Sequence, residues 1–106
     1  MIKSFKCKKT KELFEGKYQK KFSQAINNVV KRKLDMLEAS FCEDDLKVLP
    51  FNKFESLKGI LKSFCSIRIN EQYRIIFKFE NSNAYDLHKT YEKEKSTLEN
   101  ISHCAA

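Results

Sequence analysis

The chain has 106 residues, 42% apolar and 12% aromatic, with two glycines and one proline, a composition that describes one domain around a single core and excludes a linker-rich or disordered chain. Its formal charge is +7, and the excess lies in residues 1–39, which hold 11 Lys and Arg against 4 Asp and Glu, while residues 40–63 balance at 4 and 4 and residues 64–106 at 6 and 6. Such clustering suits a polyanion such as nucleic acid, and equally a solvated helix face.

The cysteines (7, 42, 65, 104) and histidines (88, 103) lack the paired spacings of a zinc site. The opening MIKSFKCKK has no apolar signal-peptide core, and no apolar run is long enough to span a membrane. The expectation is a cytoplasmic protein with free thiols, no membrane association, no metal and no other cofactor. Cys65, inside a predicted strand, reads as a small buried hydrophobe.

In chain order, Ile2 to Cys7 alternates as a first strand. Thr10 then caps a short helix ending near Gly16, which permits a left-handed stop. From about Gln19 to Ala39 the residues Phe22, Ala25, Ile26, Val29, Val30, Leu34 and Leu37 recur at three- and four-residue steps, predicting a helix with one buried stripe. Its outer positions include Lys20, Lys21, Lys31, Arg32 and Lys33, a candidate RNA-binding set. Ser40 to Asn52 reads as an exposed connection carrying the acidic cluster Glu43, Asp44 and Asp45 and the sole proline, Pro50, without the glycine of a calcium loop.

Residues 54–79, FESLKGILKSFCSIRINEQYRIIFKF, organise the rest. Ile67 and Ile69 alternate with Ser66, Arg68 and Asn70, and Tyr73, Ile75, Phe77 and Phe79 alternate with Arg74, Ile76, Lys78 and Glu80, so the stretch predicts a β-hairpin. A two-residue loop at Glu71-Gln72 opposes Arg68 to Ile75 and puts the arginines on opposite faces. A longer loop or a bulge opposes Asn70 to Arg74 and brings Arg68 and Arg74 to one face with Ile76 and Lys78. No Asn-Gly or Asp-Gly pair favours the tight turn, so the shared cationic face is expected. Asn81-Ser82-Asn83 is then a turn, and Ala84 to His88 a last strand. The order predicts an α+β fold: a mainly antiparallel twisted sheet with two N-terminal helices on one face and the other face left for a ligand. Residues 1–91 form the domain and residues 92–106 a polar tail.

The segments MIKSFK, FESLKG, SIRIN and YRIIFKF, with their spacing, resemble the RelE/ParE superfamily of type II toxin–antitoxin toxins, and most closely its HigB (host inhibition of growth) branch. The resemblance covers roughly residues 1–91. HigB relatives commonly carry His at the position of Glu55; the YoeB branch has Glu there, in a pattern similar to Glu55-Ser56-Leu57-Lys58. The resemblance implies a metal-independent endoribonuclease that cuts mRNA in the A site of the ribosome, silenced by a cognate, HigA-like antitoxin.

RNA self-cleavage needs a base for the 2′-hydroxyl, cations for the charge on the phosphorane, and an acid for the departing 5′-oxygen. Glu55 fits the base, and Lys58, Arg68 and Arg74 fit the cations, the arginines as forked donors. In relatives the last strand ends in an Asp-Tyr-His or Tyr-His-Tyr type motif; here the residues are Lys89-Thr90-Tyr91-Glu92-Lys93. Either the acid is Tyr91 or His88, or the activity is reduced; His103 lies too far into the tail to align. A ParE-like inhibitor of DNA gyrase, or a degenerate toxin acting only as a binding domain, is the competing reading. The basic helix positions serve either an acidic antitoxin or RNA.

Overall fold

The structure is a computed structural model, and it describes residues 1–17 and 23–91. It contains helices α1 (Lys8–Phe14), α2 (Gln24–Ala39) and α3 (Glu43–Lys47), and strands β1 (Glu55–Ser56), β2 (Cys65–Arg68), β3 (Tyr73–Glu80) and β4 (Asn83–Tyr91). Short 3-10 turns at Pro50–Asn52 and Gly59–Leu61 flank β1. The sheet order is β1-β2-β3-β4, each neighbour antiparallel. Among the described residues, no helix is long and apolar enough to cross a membrane.

Alternation in β2 and β3 sends one set of side chains to the helices. Ile67, Ile69, Tyr73, Ile75 and Phe77 pack with Leu13 of α1, Val30, Leu34 and Leu37 of α2 and Leu46 of α3. This is the predicted arrangement, with α3 as an addition. On the opposite face, Ile76 meets Leu57, Leu61 and Phe64 in a smaller cluster, so part of the face expected to receive a ligand is covered by the 57–64 turn. The remainder stays open beside Arg68 and Arg74.

Several local expectations are corrected. Thr10 does not cap α1: Cys7 is the capping residue, and Thr10 sits inside the helix, buried, its hydroxyl accepting the Lys89 N–H at 3.3 Å. Gly16 does provide the left-handed stop, with φ of 92°. α2 starts at Gln24, where Ser23 Oγ accepts the Ile26 N–H at 3.2 Å; the predicted start near Gln19 falls outside the described residues. The acidic cluster is the first turn of α3, not an irregular loop, and Asp45 accepts the N–H groups of Phe41 and Cys42 at 2.8 and 3.3 Å. Carboxylates there complement the helix dipole.

The predicted first strand, Ile2 to Cys7, is reduced to two parallel bridges, Ile2 to Ala84 and Phe5 to Leu87. A β-bulge is the cause. The β3–β4 register shifts between Ile76 and Lys78, and Asp86 adopts φ of 56°. The extra residue turns both Ala84 and Leu87, three apart, toward the core. Ile2 and Phe5 follow the same spacing and both pack there, which breaks the alternation.

Cys65 is buried, as expected, its Sγ 3.6 Å from the Phe77 carbonyl oxygen, and burial pushes its thiol up to about 12. Alkylation of the native protein at mildly alkaline pH should therefore label the exposed Cys42 and leave Cys65 unmodified until denaturant is added. Peptide mapping by mass spectrometry checks this.

Candidate active site

The β2–β3 connection spans Asn70, Glu71 and Gln72. Asn70 Oδ1 closes it by accepting the Gln72 and Tyr73 N–H groups at 2.8 and 2.9 Å, an Asx-type turn that substitutes side-chain for ladder bonds. The last pair is consequently Ile69 with Tyr73, joined by an N–H to carbonyl bond of 3.0 Å, and Arg68 stands directly opposite Arg74. The expected partner of Arg74 was Asn70, two residues along. Because that displacement preserves parity, the predicted shared face for the arginines is what forms.

Two cations directly opposed on a sheet repel, and each is held apart by the scaffold. Arg68 Nε donates to the Asn70 carbonyl at 3.1 Å. Arg74 is buried, 3% exposed, with Nε donating to Ser66 Oγ at 2.8 Å and Nη2 to the Ser66 carbonyl at 3.4 Å and to the Lys53 carbonyl. Lys53 presents that carbonyl from a left-handed backbone, φ 44°, at the end of the Pro50–Asn52 turn. Glu55 follows two residues later, opposite Ser66. Lys53, Glu55, Arg68, Asn70, Glu71 and Arg74 together line an open hollow of about 310 Å³.

Three of the sequence-derived site residues, Glu55, Arg68 and Arg74, therefore meet in one hollow. Lys58 lies just beyond β1, exposed at the start of the Gly59–Leu61 turn, outside the lining. His88 is opposite Ile76 and half-buried, Nδ1 3.3 Å from the Asp86 carbonyl oxygen; it shares the face of Arg74, whose β4 partner is Thr90. Tyr91 is opposite Tyr73 and thus on the helix-bearing face, its ring 4.9 Å from that of Tyr73. A hydrogen bond with Tyr91 raises the Tyr73 phenol above its ordinary value. Sequence reading did not single out Lys53, Asn70 and Glu71 as site residues. For Asn70 a signal was available: an asparagine three residues before the first strand residue of β3 is a common turn closer.

Of the basic helix positions, Lys20 and Lys21 lie outside the described residues. Arg32 is exposed; Lys31 pairs with Asp35 at 2.7 Å and lies 5.0 Å from the centre of the Phe14 ring. Lys33 is corrected: it is buried, not on the outer face, with Nζ donating to Asn52 Oδ1 and lying 4.6 Å from the Phe51 ring centre. Asn52 is itself buried and donates to the Leu46 carbonyl at 3.1 Å, so Lys33 joins α2, α3 and the turn that leads into Lys53.

Burial pulls the Lys33 ammonium below its ordinary range. Between its folded value and the ordinary 10.5, the unfolded chain binds more protons, so this group makes stability rise with pH. Lys33→Ala should remove that alkaline gain. It should also cost roughly 1–3 kcal/mol at neutral pH by leaving Asn52 Oδ1 without its donor. Urea denaturation of both proteins across the alkaline range checks the two effects.

The comparisons agree with the architecture. A chain of the YoeB-YefM complex from Staphylococcus aureus superposes with a TM-score of 0.52 over 82% of this chain and 94% of that one, at 16% identity, so the fold is RelE/YoeB-like. Residues 3–92 match the family described as RelE-like toxin of type II toxin-antitoxin system HigB. Toxin HigB-1 of Vibrio cholerae serotype O1 is 42% identical over 94 residues, covering 84% of this chain and 99% of the relative. An uncharacterised protein of Haemophilus influenzae is 38% identical over 73 residues, 69% of this chain and 72% of the relative. The chain belongs to the HigB-like family of RelE-type toxins of type II toxin–antitoxin systems, whose general activity is endoribonucleolytic.

Proposed function

We propose that this protein is an active, metal-independent endoribonuclease that cuts mRNA in the ribosomal A site, in the cytoplasm, and that a cognate antitoxin silences it. The observation that carries the reading is the convergence of Glu55, Arg68 and Arg74 on one hollow. Glu55 takes the 2′-hydroxyl proton, the 2′-oxygen attacks phosphorus, and the 5′-oxygen leaves, giving a 2′,3′-cyclic phosphate and a 5′-hydroxyl. Arg68 and Arg74 meet the charge that builds on the phosphorane, with Lys58 at the rim. The chemistry asks for a base, cations and an acid, all of which side chains supply. His88, on the same sheet face as Arg74, is the better candidate acid; Tyr91 remains the base-stacking candidate at the strand end. Arg32 serves RNA or an acidic antitoxin. The antitoxin reading is supported by membership of the toxin–antitoxin family and by the fold shared with a chain of the YoeB-YefM complex.

Induced expression in a bacterial host, with primer extension on an abundant message, tests this. Cuts at codon positions that disappear when the antitoxin is co-expressed are expected. Growth arrest with intact messages and an induced DNA-damage response would move the assignment to a gyrase inhibitor, and absence of arrest to a binding domain without activity.

A further inference from the structure

Ser66 is fully buried in β2, between the core residues Cys65 and Ile67. Alanine would occupy that space without a polar atom to satisfy. The hydroxyl is used instead to accept Arg74 Nε at 2.8 Å, and the carbonyl of the same residue receives Arg74 Nη2 at 3.4 Å. Ser66 is also the ladder partner of Glu55. One residue therefore holds the strand that carries the carboxylate and the guanidinium beside it. A planar fork gripped along one edge cannot swing, and it faces charge developing on a phosphorane without first reorganising.

We propose that Ser66 is a positioning residue for RNA cleavage, acting through Arg74; the inference rests on the nuclease reading above. Its test is message cleavage on programmed ribosomes by Ser66→Ala, by Ser66→Cys, whose bulkier thiol fills the site but accepts weakly, and by Ser66→Ala in an Arg74→Lys background. In the wild-type background kcat should fall roughly tenfold to hundredfold in both variants with KM unchanged. In the Arg74→Lys background, where the fork is gone, Ser66→Ala should cause no further loss. Should Ser66→Ala fail to fold on a thermal melt, Ser66→Cys carries the same comparison. Full kcat in the serine variants, a change in KM alone, or an equal loss in both backgrounds overturns the inference. A wild-type protein that leaves message intact on programmed ribosomes overturns the nuclease reading, and this inference with it. Arg74→Lys and Glu55→Gln proteins that both cleave normally move the active site away from the hollow and overturn the inference while the nuclease reading stands; if they lose cleavage while the serine variants keep it, only the role of Ser66 fails.

Discussion

Arg74→Ala should lose both cleavage and stability, and the two losses have different origins. The guanidinium is buried and donates to Ser66 Oγ, to the Ser66 carbonyl and to the Lys53 carbonyl. Deleting it leaves those acceptors, two of them buried, without their donor, at a cost of about 2 to 3 kcal/mol after partial relaxation. It also frees the Lys53 segment that delivers Glu55, so the carboxylate and the cation are disturbed together. Loss of a donor aimed at developing charge is worth about a hundredfold to thousandfold in rate. Urea denaturation reads the first effect and single-turnover cleavage the second. A variant that melts like wild type would show that the three bonds do not hold the segment.

Glu55→Gln isolates the chemistry. Glu55 is exposed in the two-residue strand β1, and an isosteric amide there should change stability by no more than about 0.5 kcal/mol. A base that must take the 2′-hydroxyl proton is worth about a hundredfold to ten-thousandfold, so cleavage should fall by that factor while the fold and antitoxin binding persist. Measuring both on one preparation distinguishes a lost base from a lost fold. Retained cleavage would remove Glu55 from the reaction and leave the proton to another group lining the hollow, with Glu71 the other carboxylate there.

The sequence announces the parts of this fold that repeat with a fixed period. Alternation through Tyr73, Ile75, Phe77 and Phe79 specified β3, and parity alone put Arg68 and Arg74 on one face even though the ladder partner was displaced by two. Periodicity is blind where one residue is inserted. The bulge at Asp86 resets the β4 pattern and imposes its three-residue spacing on Ile2 and Phe5, so two bridges stand where alternation predicts a strand. Thr10 departs from the capping expectation for a related reason, since its hydroxyl serves the backbone of β4, 79 residues away. Lys33 is different, because its burial was legible: it stands three residues after Val30 and four before Leu37, on the apolar stripe of α2 rather than opposite it. At the site, the resemblance of FESLKG, SIRIN and YRIIFKF to the toxin family is what marks Glu55, Arg68 and Arg74, whereas Lys53 contributes to holding Arg74 through its carbonyl, which no side-chain pattern reveals. Tyr91 attracted attention through its resemblance to a terminal motif, and the same parity that united the arginines sends it to the opposite face.

The bridges between the first residues and β4 have a consequence for synthesis. Lys3 N–H reaches the Ala84 carbonyl at 2.7 Å, and Lys6 N–H reaches that of Leu87 at 2.9 Å, so the N-terminal edge of the sheet cannot close until β4 has left the exit tunnel. Lys53 to Arg74, in contrast, form a nearly continuous stretch whose hairpin contacts are local and quick to form. During translation the groups of the hollow can therefore gather before the domain around them is sealed. The nascent chain would carry its cations into the cell on an open-edged sheet, with the long-range closure left as the slow, late step.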